Sequence, residues 1–176
     1  MILEKCKESL KNSGWDDAKY SVDNGISLDI YIKKTPLNYY EATRLAMCLG
    51  IQLSLIHSFN KSLLYVTLEN IIRINEDWFL ITKAPSLVSI LDDDTITIEE
   101  PIANDVKYIA PELRNIISLP HKTNISCIYY SIALLIKDAM NITDPLSISS
   151  IANSPLYYFL ERCMIKEPAL RHFLFI

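Results

Sequence analysis

Three histidines, four cysteines and a dense run of acids are the residues in this 176-residue chain whose types suit chemistry. His57, His121 and His172 are scattered, with no cysteine or acid at metal-ligand spacing, so they read as surface or helix-end histidines. No Gly-x-Ser-x-Gly elbow occurs, and the Ser/His/Asp combinations that any chain of this size contains do not point to a hydrolase. Cys6, Cys48, Cys127 and Cys163 form no Cys-x-x-Cys and sit in apolar helical contexts. They read as buried free thiols rather than disulfide partners or metal ligands. Asp92-Asp93-Asp94 clusters oxygens that suit a hard cation, but nothing else in that loop resembles a calcium site. Adding Glu99, Glu100 and Asp105 puts six acids within fourteen residues, with no basic residue among them. A local negative field of that kind steers a basic peptide; simple solubility is the competing reading.

The elements that must position these groups follow from apolar spacing. Residues 2–12 read as a short helix, part of an N-terminal helical extension over residues 1–25. Residues 26–32 suit a short helix or an extended piece. Thr35-Pro36 is a helix-start signal, and from Asn38 to Phe59 the positions Ala42, Leu45, Ala46, Leu49, Leu53 and Ile56 make one buried helical stripe. Residues 61–74 continue as helical or partly helical. From Pro85 to Glu100 two β-branched runs flank Asp92-Asp93-Asp94, which reads as a β-hairpin with an acidic turn. A short helix over 111–118 and a loop at 121–124 precede the most apolar helix, 125–140. Helices opening at Pro155 and Pro168 complete the chain.

Composition agrees with a helical, single-domain protein over residues 1–176. Half of the residues are apolar and only three are glycine, which disfavours a sandwich or barrel punctuated by glycine turns. A net charge of −4 argues mildly against nucleic acid or anionic membrane as partner. The longest apolar run, Cys127 to Ile136, is about half a membrane span. The start, Met1-Ile2-Leu3-Glu4-Lys5, lacks a signal-peptide layout, so a cytoplasmic protein is expected.

Two short motifs carry a resemblance. Tyr108-Ile109-Ala110-Pro111-Glu112-Leu113 contains Ala-Pro-Glu, and Glu167-Pro168-Ala169-Leu170-Arg171 contains an acidic-Pro-x-x-Arg, with an amphipathic helix between them. The order of elements from Ile26 to Phe175, and Tyr130-Ser131-Ile132-Ala133 at the start of the central helix, resemble a protein-kinase C-terminal lobe. Within that superfamily the chain is similar to the KIND domain, the kinase non-catalytic C-lobe domain of Spire-type actin nucleators. The shared features are the run Ile26 to Leu37, the hairpin of residues 85–100, and the short interval from Glu100 to Glu112. The resemblance implies a mainly α, kinase-C-lobe-like domain with one small β-hairpin and no N-lobe. It also implies a structural ion pair between Glu112 and Arg171.

Phosphoryl transfer needs phosphate-cradling amides, a lysine, metal-binding acids and a catalytic aspartate. The chain has no Gly-rich loop, no His-Arg-Asp and no Asp-Phe-Gly. Leu63-Leu64-Tyr65 or Ile81-Thr82-Lys83 stands where the catalytic aspartate would fall, according to the alignment, and the hairpin favours the second. The expectation is therefore a protein that is not an enzyme and has no cofactor, a protein-protein interaction module capturing a short basic or amphipathic segment in a helical groove. By resemblance that segment is a formin tail, linking the module to actin-nucleation regulation. The alternative is a stand-alone kinase-lobe mimic, a pseudokinase-type inhibitor that docks onto a protein kinase. In either case Asp92, Asp93, Asp94, Glu99, Glu100 and Asp105 form the candidate partner-binding acidic patch, with no nucleic acid and no membrane span.

Overall fold

The computed structural model describes residues 2–11, 25–74, 78–84, 86–143 and 148–173. Most of the expected extension, residues 12–24, lies outside the described residues, as do Pro85 and the final three positions. Helix α1 (Ile2–Lys11) buries Cys6 and Leu10 and packs on the long helix over Tyr39–Ser58. Strand β1 (Ile26–Ser27) leads directly into α2 (Leu28–Ile32), so the stretch read as helix or strand is both.

Helix α3 (Tyr39–Ser58) starts from Asn38 rather than from Pro36. The Asn38 side chain accepts the Glu41 backbone N–H at 3.0 Å, and the Glu41 carboxylate accepts the Asn38 N–H at 3.0 Å. This reciprocal pair satisfies two of the donors that a helix start otherwise leaves free. The stripe from Ala42 to Ile56 is buried as its spacing requires.

After α3 the fold departs from the sequence expectation. Strand β2 (Lys61–Leu63), a 3-10 turn (Leu68–Asn70) and β3 (Ile71–Ile74) occupy the region read as helical, and β4 (Trp78–Ile81) follows it. Next come β5 (Leu87–Ser89), β6 (Thr95–Ile98), α4 (Pro111–Arg114), β7 (His121–Asn124), α5 (Cys127–Ala139) and α6 (Pro155–Cys163). A 3-10 turn at Pro168–Leu170 stands where a last helix was expected.

The mainly α, kinase-C-lobe-like architecture with one hairpin is therefore corrected. The protein is 44% helical and 17% strand, with three small antiparallel sheets among the described residues, and its fold is mixed. The sheets are β1-β3-β4, β2-β5 and β6-β7. The expected hairpin of residues 85–100 is replaced by two separate pairings. Strand β5 pairs with β2 and β6 with β7, leaving the single bridge Ile90–Ile96 between the two runs. The misreading has a physical cause. Leu64, Leu68, Ile71 and Ile72 mimic a helical stripe, but Leu64 and Leu68 lie outside any strand, and Ile71 and Ile72 lie in a four-residue strand that pairs with β4 and with the remote β1.

Gln52 fixes α3 to the three-stranded sheet. It has no exposed surface. Its amide nitrogen donates to Cys48 O at 2.8 Å and Phe79 O at 2.9 Å, and its amide oxygen accepts the Ile81 N–H at 2.9 Å. The side chain thus stands in for a further strand along β4. At the other end of the sheet, Arg73 of β3 donates to Glu41 at 2.5 Å and stacks over Tyr31, 4.1 Å from the ring centre. Those contacts hold α2, α3 and β3 together.

Two apolar clusters result. The larger gathers α1, α3, the β1-β3-β4 sheet and one side of α5 and α6. The smaller gathers Leu64, Ile96, Ile98, Ile109, Ala110, Leu113 and Cys127. Within the larger one, Ser131 of α5 joins two remote segments, donating to Tyr108 O at 2.7 Å and accepting from Val66 N at 3.2 Å in a fully buried position. A Gln52→Leu variant keeps the volume but strands the Ile81 N–H and the Phe79 carbonyl. It should lose about 2–4 kcal/mol of stability, the cost of two unpaired buried backbone groups, in chemical denaturation.

Candidate functional site

The separation of β5 from β6 creates a cleft. Beyond the Ile90–Ile96 bridge the chain turns at residues 91–94, where Leu91 N–H donates to Thr95 O at 2.8 Å and Asp94 adopts a left-handed φ of 55°. Aspartate tolerates that conformation better than most residues. On the other side of the bridge the strands part, each held by its outer neighbour. A cavity of about 680 Å³ lies alongside them, lined from β5 and the turn by Leu87, Val88 and Leu91, from β6 by Thr97 and Ile98, and by Leu64 and Tyr65. Glu99 and Glu100 stand at its rim.

Pro101, Ile102 and Ala103 also line a second cavity of about 500 Å³. Ile109, Leu113 and Ile116 line it too, with the almost fully exposed Ile117 (98%) at its border. Together the two cavities form a trough of mixed polar and apolar lining, bordered by exposed Leu87, Leu91, Ile117 and Leu119. Exposed apolar surface gathered in this way marks a contact site more often than scattered residues do.

The wall behind the first cavity is closed locally. Ser86 Oγ donates to Tyr65 O at 2.7 Å and accepts the Tyr65 N–H at 3.2 Å, while Leu64 N–H donates to Ser86 O at 3.1 Å. These bonds clamp the chain entering β5 onto the chain leaving β2. No spacing rule in the sequence announces such a clamp.

Glu112 and Arg171 lie beside the second cavity, on opposite sides of a 59-residue separation. Arg171 donates to both Glu112 oxygens, at 2.6 and 2.9 Å. Its remaining donors reach Ile165 O at 2.7 Å and Lys166 O at 3.2 Å, and its guanidinium lies 4.8 Å from the Tyr130 ring centre. Arg171 is 3% exposed, so its charge is satisfied almost wholly by the protein. The pair sets the position of α4, whose Leu113 lines the second cavity.

All six acids of the expected patch are exposed, but they do not form one patch. Asp92, Asp93 and Asp94 occupy the turn tip, and Glu99 and Glu100 follow the far end of β6, on the order of 15 Å away by strand rise. Asp93 is also engaged. Lys122 Nζ donates to it at 2.6 Å and Thr95 Oγ1 donates to its other oxygen, and these bonds hold the carboxyl below its ordinary range. Asp105 sits in the loop leading to Tyr108. Among the described residues, Glu99 and Glu100 are the two acids that line the cavity, and no basic residue lines it with them.

His57 lies 3.3 Å from Ser62 Oγ, a spacing that would suit a nucleophile and its base. Ser62 has no exposed surface, so the pair is internal packing at the α3–β2 junction. His121 is on β7 and His172 is exposed beyond Arg171. No group of three or more His, Cys, Asp or Glu among the described residues is placed to hold a metal ion. All four cysteines are buried and none is in a disulfide; burial pushes the Cys6 pKa up to about 11, and those of Cys127 and Cys163 up to about 12. No helix among the described residues is long and apolar enough to cross a membrane.

Two variants probe this scaffold. Glu112→Ala leaves a buried guanidinium without its counter-ion and should cost about 2–4 kcal/mol in denaturation, with partial recovery when Arg171→Met is added. Burial lowers the His57 pKa from 6.5 against an opposing pull from Asp94. A depressed histidine contributes its stability above the unfolded value and loses it as pH falls from about 6.5 through the folded value. His57→Gln should therefore flatten the decline of unfolding free energy between pH 7.5 and 5.

No family model matches the chain, and no curated protein sequence matches it.

Proposed function

We propose that the chain is a non-catalytic docking module that holds a short basic segment of a partner protein in the cleft between β5 and β6. The observation that carries this reading is the lining itself: Leu64, Leu87, Val88 and Ile98 set among polar groups, with Glu99 and Glu100 beside them and no cation within the lining to neutralise the two acids. Apolar contact supplies affinity for side chains entering the trough, and the Glu99–Glu100 rim selects for lysine or arginine beside them.

The three aspartates at the turn tip have a lesser part in this reading. Asp93 is already paired with Lys122, and the tip is separated from Glu99 and Glu100 by the length of β6. They add to the general negative field that guides a basic segment inward. The motif resemblance at Glu112 and Arg171 suggests the class of partner, a formin tail in actin-nucleation control. A cytoplasmic setting agrees with four cysteines that form no disulfide.

Selection of random twelve-residue peptides on the immobilised full chain tests the proposal. The recovered peptides should be enriched in Lys or Arg next to apolar residues. They should bind more weakly as salt rises from about 50 to 500 mM, because screening shortens the reach of the rim charges. Glu99→Lys with Glu100→Lys should abolish their capture, whereas Asp92→Lys should only slow it. Recovery of no peptide, or of neutral peptides indifferent to salt and to the Glu99/Glu100 reversal, overturns the reading.

A further inference from the structure

The two cavities differ in charge as well as in position, and the difference specifies a segment that the docking reading above leaves general. Glu99 and Glu100 line the first cavity with no cation beside them. Arg114 lines the second with no acid beside it. Pro101, Ile102 and Ala103 line both, so the acidic end and the basic end belong to one trough.

Arg114 is exposed at the last position of α4, whose placement the Glu112–Arg171 pair sets. One of its terminal nitrogens donates to Lys107 O at 2.9 Å, which orients the guanidinium. No ion pair engages it among the described residues: Glu112 is taken by Arg171, and Asp138 by Lys107. Asp105 stands in the loop between the lining residues Asn104 and Val106 but does not itself line the cavity. A guanidinium in this state has donors left for a carboxylate, which it binds in a planar, two-bond geometry.

Ile117 supplies a second observation. It is 98% exposed at the border of the same cavity, beside Leu119, while Ile102, Val106, Ile109 and Leu113 line the cavity itself. A lone exposed isoleucine is ordinary, but one set against apolar-lined concave surface marks a place where a partner side chain can be covered. We propose that the partner segment is dipolar: lysine or arginine at the Glu99–Glu100 end, an apolar residue in the second cavity against Ile117, and an aspartate or glutamate at Arg114. This inference rests on the docking reading and adds to it an anchor and an acid. The opposed charges fix which way the segment lies, because reversing it sets like charges together.

The probes are the peptides recovered from the display selection, tested on the full chain. They should share an acid at a constant interval from the Lys or Arg, with an apolar residue between. Arg114→Glu should weaken them about fivefold, the scale of one exposed ion pair reversed. Replacing the peptide acid by lysine should weaken binding to the wild type and restore it in that variant. Ile117→Ser should weaken the peptides about tenfold through lost apolar contact. Because that side chain is bare in the free protein, its thermal midpoint should not move.

Peptides that carry the basic residue alone, and bind wild type and Arg114→Glu equally, overturn the dipolar segment while the docking reading survives. Recovery of no peptide overturns both. A trough charged oppositely at its two ends also complements itself across a two-fold axis. Concentration-dependent dimers in sedimentation that Arg114→Glu abolishes would make a second copy the occupant, which overturns the proposal. Should Arg114→Glu fail to fold, the lysine-for-acid peptide on the unaltered protein still decides the matter: full affinity for it overturns the inference.

Discussion

The guanidinium of Arg171 is the constraint on which the lower half of the molecule depends. A cation removed from water is tolerated only when every donor finds an acceptor and a counter-charge lies close by. Here Glu112 supplies the counter-charge, the Ile165 and Lys166 carbonyls take the remaining donors, and the Tyr130 ring covers one face. Those partners come from α4, the connection after α6, and the first turns of α5. One side chain therefore joins three parts of the chain that share no sheet. The trough inherits this rigidity, because α4 contributes Leu113 to its floor.

The upper half is joined differently, through single polar side chains buried between apolar layers. Gln52 binds the margin of β4, and Ser131 links α5 to Tyr108 and Val66. Each satisfies backbone groups that water cannot reach, so each enforces one relative placement of the elements it touches. Apolar packing alone would allow sliding. Between these two anchored regions lie β5 and β6, which share one bridge and otherwise depend on their outer partners.

The helices were legible because their evidence is local. The stripe along α3 and the nearly all-round apolarity of α5 repeat at helical spacing over ten or more residues, and Ser154-Pro155 marks the start of α6. The sheets were not legible for the opposite reason. Strands of two to four residues show barely one period of alternation, and their partners lie far away, as with Lys61 facing Ser89 and Thr95 facing Asn124. The acidic run misled through contiguity: neighbours in sequence were separated by the extended course of β6. Glu99 and Glu100 matter at the cleft because that course ends there, and no charge pattern distinguishes them from Asp92–Asp94. The approach of Arg171 to Glu112 was legible only through the resemblance of two short motifs, since nothing in composition pairs residues so remote.

The Gln52 amide has a consequence for how this molecule meets copies of itself. By occupying the margin of β4 it denies that edge to any foreign chain, much as a covering helix would. The β1-β3-β4 sheet cannot grow on that flank, so intermolecular strand pairing there is blocked at the level of one buried side chain. Crowded or concentrated samples would thus be expected to associate from the opposite face, and a defect at position 52 would open a second, indiscriminate route to aggregation.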